Sequence, residues 1–135
     1  MADTLLLQLV SPERMLVEEQ VSEVQVPGLD GYMGILPGHA PLLSELKAGG
    51  VLTYKGSSGE KVLAVYGGFV EVQPDRIRIL AEAAQRKEEI NVEEAREELR
   101  KATEEAAKEL RGEIDPNVAL DQIARAQAKI DAAAK

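Results

Sequence analysis

The sequence predicts an α+β protein, with an N-terminal β-sandwich or flattened barrel over residues 1–87 and a C-terminal antiparallel two-helix hairpin over residues 88–135. Three observations carry this reading. Before residue 87, apolar residues come in short runs at period two, as half-buried strands require. Beyond it, they recur at three- and four-residue steps, the spacing of an amphipathic helix. Ten of the 11 glycines precede residue 100, as many tight turns would demand.

Leu5, Leu7 and Leu9 share one face of the first strand, Val24 and Val26 the face of another, and Ile77 and Ile79 the face of a third. The stretch from Val51 to Tyr66 reads as a hairpin turning around Gly56 to Glu60. A second hairpin joins Phe69–Gln73 to Arg76–Leu80, with Pro74 presetting the turn dihedral and Asp75 suiting the next position.

In the second half, Asn91 is placed as an N-cap with Glu94 at the N3 position of a capping box. Val92, Ala95, Leu99, Ala102, Ala106 and Leu110 form one apolar stripe. Gly112 suits the end of that helix, and Asp115 with Pro116 the start of the next. Leu120, Ile123, Ala126 and Ile130 continue a second stripe, and the short connection makes the helices antiparallel neighbours. Glu97 with Lys101 and Glu104 with Lys108 are spaced for i,i+4 ion pairs on a solvated face. The Ala-rich tail from Asp131 to Lys135 is expected to fray. A seam built mostly of alanine buries little apolar area, so the hairpin is expected to lean on a neighbour or to change conformation.

Bulk properties narrow the function. A chain of 135 residues has no room for a large enzyme with a deep cleft between domains. Hydrophobic residues make up 44%, but aromatics only 3%, so the core must be aliphatic. The net charge of −8 argues against a general nucleic-acid binder and against adhesion to anionic lipid. The absence of cysteine excludes disulfides, thiolate metal sites and cysteine nucleophiles. The opening MADTLLLQLVSPER reads as a strand and not as a signal peptide, and no window approaches the ~20 apolar residues of a membrane helix. The expectation is a soluble, cytosolic protein whose link to any membrane runs through a partner.

No catalytic constellation assembles. His39 is the sole histidine and has neither a carboxylate cluster at ligand spacing nor a nucleophile elbow, so neither metal nor catalytic chemistry is expected there. Gly31-x-x-Gly34 and Gly67-Gly68 match no Walker loop or dinucleotide fingerprint; glycine there suits a positive φ or a close backbone approach. The segment from Gly31 to Leu42 concentrates Gly and Pro, which makes it a loop able to present side chains to a partner.

Gly34-Ile-Leu-Pro-Gly-His39-Ala-Pro-Leu42, then Gly67-Gly-Phe-Val-Glu-Val72, Ile79-Leu-Ala81 and Ala83-Ala84 resemble the signature of the ATP synthase epsilon-subunit family (delta in mitochondria). The likeness extends over the order of the two halves and essentially the whole chain. It implies a sandwich of about ten short strands and a non-catalytic role in the central stalk of a rotary ATP synthase. The β domain would bind the gamma subunit and the ring of c subunits, through Gly31, Tyr32, Met33, Gly34, Pro37, His39 and Pro41. It would help to couple proton or sodium-ion flow to ATP synthesis, as a peripheral component on the cytoplasmic face of the cell membrane. The helical arm would be regulatory, folding on the β domain or extending along gamma toward the alpha/beta catalytic head to restrain ATP hydrolysis.

Some members of that family bind ATP at the arm through a motif of the form Ile/Leu-Asp-x-x-Arg-Ala. The matching stretch is Ile90-Asn91-Val92-Glu93-Glu94-Ala95, where Asn91 replaces the acid and Glu94 the arginine. Arg96 lies about 200° around a helix from Glu94 and is no simple substitute. Arg125 and Lys129 on the second helix resemble other ligands of those members, and are taken as regulatory or weak nucleotide contacts. Neither a cofactor nor a metal is expected. The competing readings are a stand-alone ATP-sensing module built on Arg125 and Lys129, and a small enzyme using His39.

Overall fold

The alternation in the first strand is reproduced side chain by side chain. In the computed structural model, which describes residues 3–109 and 116–135, Leu5, Leu7 and Leu9 of β1 (Leu5–Val10) are fully buried while Leu6, Gln8 and Val10 are partly exposed. Six further strands follow: β2 (Met15–Gly28), β3 (Gly31–Ile35), β4 (Leu42–Glu45), β5 (Gly50–Gly56), β6 (Gly59–Gln73) and β7 (Arg76–Arg86). The order is β1-β7-β6-β5-β2-β3, and β1 also pairs with β2, so five strands close into a ring. Closure removes most free edges. Among the described residues the only parallel contact is β1 with β7; the other pairings are antiparallel.

Seven strands stand where about ten short ones were expected, because β2, β6 and β7 are long. β2 pairs with β1 through its first half and with β3 and β5 through its second. β6 pairs with β5 through its first half and with β4 through Phe69–Val72. It bends at Gly67 and Gly68, both with positive φ. A count that splits these bent strands approaches ten, and both descriptions give the same flattened, two-layered barrel. Its core is aliphatic apart from Tyr54, with Leu52, Leu63, Val70, Ile77 and Ile79 all but sealed from solvent. Both hairpins form, with Gly56 opposite Gly59 and Gln73 opposite Arg76.

A single turn of 3-10 helix, η1 (Lys87–Glu89), leads from β7 to α1 (Val92–Glu109) and α2 (Pro116–Ala133). It is tied to the barrel. Both terminal nitrogens of Arg14, in the β1–β2 turn, donate to the Glu89 carboxylate at 2.8 and 2.9 Å, and Glu89 also accepts from the Arg86 backbone N–H. The Asn91 side chain then accepts from the Glu94 N–H at 3.1 Å, as an N-cap should. Along α1, Ala95 and Ala102 are buried, and Val92, Leu99 and Ala106 partly so. Leu110, Gly112 and Asp115 lie outside the described residues.

The helical half departs from expectation in four places. Leu120 is 60% exposed and does not belong to the buried stripe. α2 is buried on two faces instead of one: Ala126 and Ala128, about 200° apart on a helix, are both covered. One face packs on α1, and on the other Ala128 and Ala132 join Val51, Ala64 and Tyr66 of the barrel wall. That contact also holds the tail expected to fray, since Ala132 is fully buried and the helix runs to Ala133. Finally, Arg100 takes Glu97 and Glu104 as its partners, displacing Lys101 and Lys108 from the pairs anticipated for them. A guanidinium with five donors can serve two carboxylates at once.

Candidate functional site

The segment 31–41 divides into an edge strand and a turn. Gly31, Tyr32, Met33 and Gly34 belong to β3, which among the described residues pairs only with β2. Gly31 has φ +139°, whereas Gly34 has an ordinary backbone and open space around it. Tyr32 is half exposed, but its hydroxyl points inward and accepts from the Val51 N–H at 3.2 Å, while Lys47 Nζ lies 5.4 Å from the ring centre. Met33 packs against the barrel core, so its side chain supports the strand from beneath.

Beyond β3, Leu36-Pro37-Gly38-His39 is a β-turn closed by the His39 N–H donating to the Leu36 carbonyl. Pro at the second position and Gly38 at the third, with φ +86°, are what a type II turn requires. The Gly38 N–H donates to the Pro74 carbonyl at 2.7 Å, pinning this turn to the β6–β7 hairpin. His39 Nδ1 lies 2.7 Å from the Ala40 carbonyl oxygen, which can only accept, so that nitrogen carries the proton. Pro41 is exposed. The histidine thus rigidifies a turn. Among the described residues, no group of three or more His, Asp or Glu is placed to hold a metal ion.

The segment leads into an apolar outer surface that sequence reasoning did not single out. Phe69 on β6 and Leu80 on β7 are direct cross-strand partners, and Leu80 in turn is registered with Val10 on β1. Phe69 and Leu80 are each about half exposed, and Leu43 on β4 is 70% exposed. A signal was present: Phe69 is in phase with Glu71 and Gln73, an aromatic ring at a position where alternation calls for a polar side chain.

Arg125 and Lys129 do come together, in a cleft of about 330 Å³ between the two helices and the barrel, lined also by Tyr66, Glu98, Lys101, Glu105 and Gln122. Both cations already have partners. Arg125 donates to Glu82 of β7 at 3.1 Å, and its Nε has no hydrogen-bond partner among the described residues. Lys129 donates to Glu98 of α1 at 2.7 Å and lies over the Tyr66 ring. Burial pushes the Tyr66 phenol well above its ordinary pKa; the Glu98 carboxylate adds to this and Arg125 opposes it, so the group stays neutral. Asn91 and Glu94, the positions altered in the nucleotide motif, do not line the cleft.

Residues 4–87 match the family model described as the ATP synthase delta/epsilon chain β-sandwich domain. The chain belongs to the ATP synthase delta/epsilon family. It is 47% identical to the ATP synthase epsilon chain of Solibacter usitatus over 135 residues, covering all of this chain and 99% of that one. It is 40% identical to that of Rhodospirillum rubrum over 132 residues, with 98% of each chain covered. The fold matches a chain in a Euglena gracilis mitochondrial ATP synthase structure of OSCP, F1 and c-ring, with a TM-score of 0.82 at 21% identity, covering this chain entirely and 84% of the other. Family membership makes this a non-catalytic subunit of a membrane-associated complex. No helix among its described residues is long and apolar enough to cross a membrane.

Proposed function

We propose that the chain is a rotor component of the ATP synthase central stalk, peripheral on the cytoplasmic face of the cell membrane. Its β domain would seat on the gamma subunit and the c-ring and help couple proton or sodium-ion flow to ATP synthesis. The observation that carries this is the outward apolar row Val10–Leu80–Phe69, with Leu43 beside it. The barrel already has a closed core, so an exposed Phe–Leu pair there adds nothing to folding and suits burial in a partner. The turn that carries Pro37, His39 and Pro41 is pinned to the β6–β7 hairpin and leads into Leu43, whereas Gly31 and Tyr32 lie beside Val51 and the end of α2; these residues would supply further contacts to gamma or the ring. Phe69→Glu should leave the barrel folded and abolish co-purification with gamma. Undiminished co-purification by that variant, together with no cross-link to gamma or c from position 39, would overturn the assignment.

For the arm, the reading is a regulator that restrains hydrolysis by extending toward the alpha/beta head, without needing nucleotide bound to the chain itself. Support comes from the cleft, where Glu82 and Glu98 already occupy Arg125 and Lys129. A phosphate group entering there would have to displace carboxylates from both cations, against Coulomb repulsion. A stand-alone ATP sensor would need those same cations free.

A further inference from the structure

α2 packs against β5 and β6, and its backbone also comes close to Gly49, in the connection between β4 and β5. A Cβ built there would stand 2.3 Å from the Ala124 carbonyl oxygen, 2.4 Å from its carbon and 2.6 Å from the Arg125 nitrogen. All three are helix backbone, so no rotamer change can make room. Gly49 does not have a positive φ, so alanine would suit its backbone if the helix were elsewhere. Beside this contact, Arg125 reaches out to Glu82 on β7. One turn further along, Ala128 packs among Val51, Ala64 and Tyr66. Apart from Tyr66 these are small side chains, and dispersion falls off steeply with separation, so lifting the helix by ~1 Å forfeits up to about half of the contact.

We propose that Gly49 and the Glu82–Arg125 ion pair form a seat that decides whether the arm lies on the β domain. Gly49 admits the α2 backbone, and the ion pair fixes where along the barrel wall the helix sits. The consequence for ATP hydrolysis rests on the regulatory reading of the arm given above, whereas the seat itself can be read without it. α1 contributes little directly, because it packs on α2 and is held from behind by Glu98 on Lys129.

The chain has no cysteine, so spin labels can be placed at Ser57→Cys, in the β5–β6 turn, and at Asp121→Cys on α2, both exposed positions. Pulsed electron resonance on the full chain should give one narrow distance. Gly49→Ala should lower the docked population by about fivefold or more while the thermal melt of the barrel is kept. Arg125→Glu should do the same, and adding Glu82→Arg should restore the narrow distance. An unchanged distribution in Gly49→Ala, or a charge-swapped pair no better docked than Arg125→Glu alone, would overturn the proposal. Should Gly49→Ala fail to fold, the charge-swap series decides. Altered distances with unchanged hydrolysis by the assembled complex would uphold the seat and count against the regulatory reading.

Discussion

Glu89 shows how one side chain joins the two halves. The Arg14 guanidinium, and secondarily the Arg86 backbone N–H, hold its carboxyl below the ordinary carboxylate range. A carboxyl whose pKa is lower folded than unfolded contributes stability above its unfolded value, and loses it as pH falls through the folded one. The advantage of the unsubstituted chain over Glu89→Gln in urea midpoint should therefore be present at about pH 6 and shrink toward about pH 3. A pH-independent difference would mean that the carboxylate charge is not what matters. His39 was legible as the residue of a motif but not as a turn element, because its Nδ1–H···O=C bond to Ala40 depends on the local path of the chain.

Strands and helices differ in how far alternation alone describes them. Leu52 of β5 is fully buried in the barrel core, so Leu52→Ala should destabilise the chain by about 2–5 kcal/mol, measured by denaturant titration. Leu120, fifth residue of α2, is largely exposed, and Leu120→Ala should change stability by no more than about 0.5 kcal/mol. The two substitutions remove the same atoms, and their difference measures burial. Because η1 is tied back to the β1–β2 turn, a chain truncated after Glu89 is expected to keep a cooperative melt and to bind gamma. A truncated chain without a cooperative transition would place part of the barrel's stability in the arm.

At the level of the assembled molecule, α2 lies between α1 and the barrel wall, held by alanines and two partly exposed ion pairs. Such a contact is weak and sensitive to salt, which suits an arm that leaves and returns. Removing residues 90–135 should leave ATP synthesis intact and raise ATP hydrolysis modestly in the reconstituted complex; unchanged hydrolysis would refute the restraining role. Titration of the isolated chain with ATP should show no tight binding. A micromolar dissociation constant would mean that the Glu82 and Glu98 carboxylates yield to the nucleotide.

Local periodicity was enough to place the barrel, both hairpins, the Asn91 cap and the helical nature of the arm, because each depends on residues close together along the chain. Three features depend on segments far apart and could not be read that way. β2 and β6 each pass through both layers of the barrel, since partners change along a strand only when the other strands are in place. The Phe69–Leu80–Val10 row becomes one surface only when β6, β7 and β1 come into register. The second buried face of α2 is made by Val51, Ala64 and Tyr66, and the helix backbone comes close to Gly49, some 75 residues before Ala124, where there is no Cβ in the way. Side-chain pattern reports which face of an element is apolar; which other element covers it is settled by close packing in three dimensions.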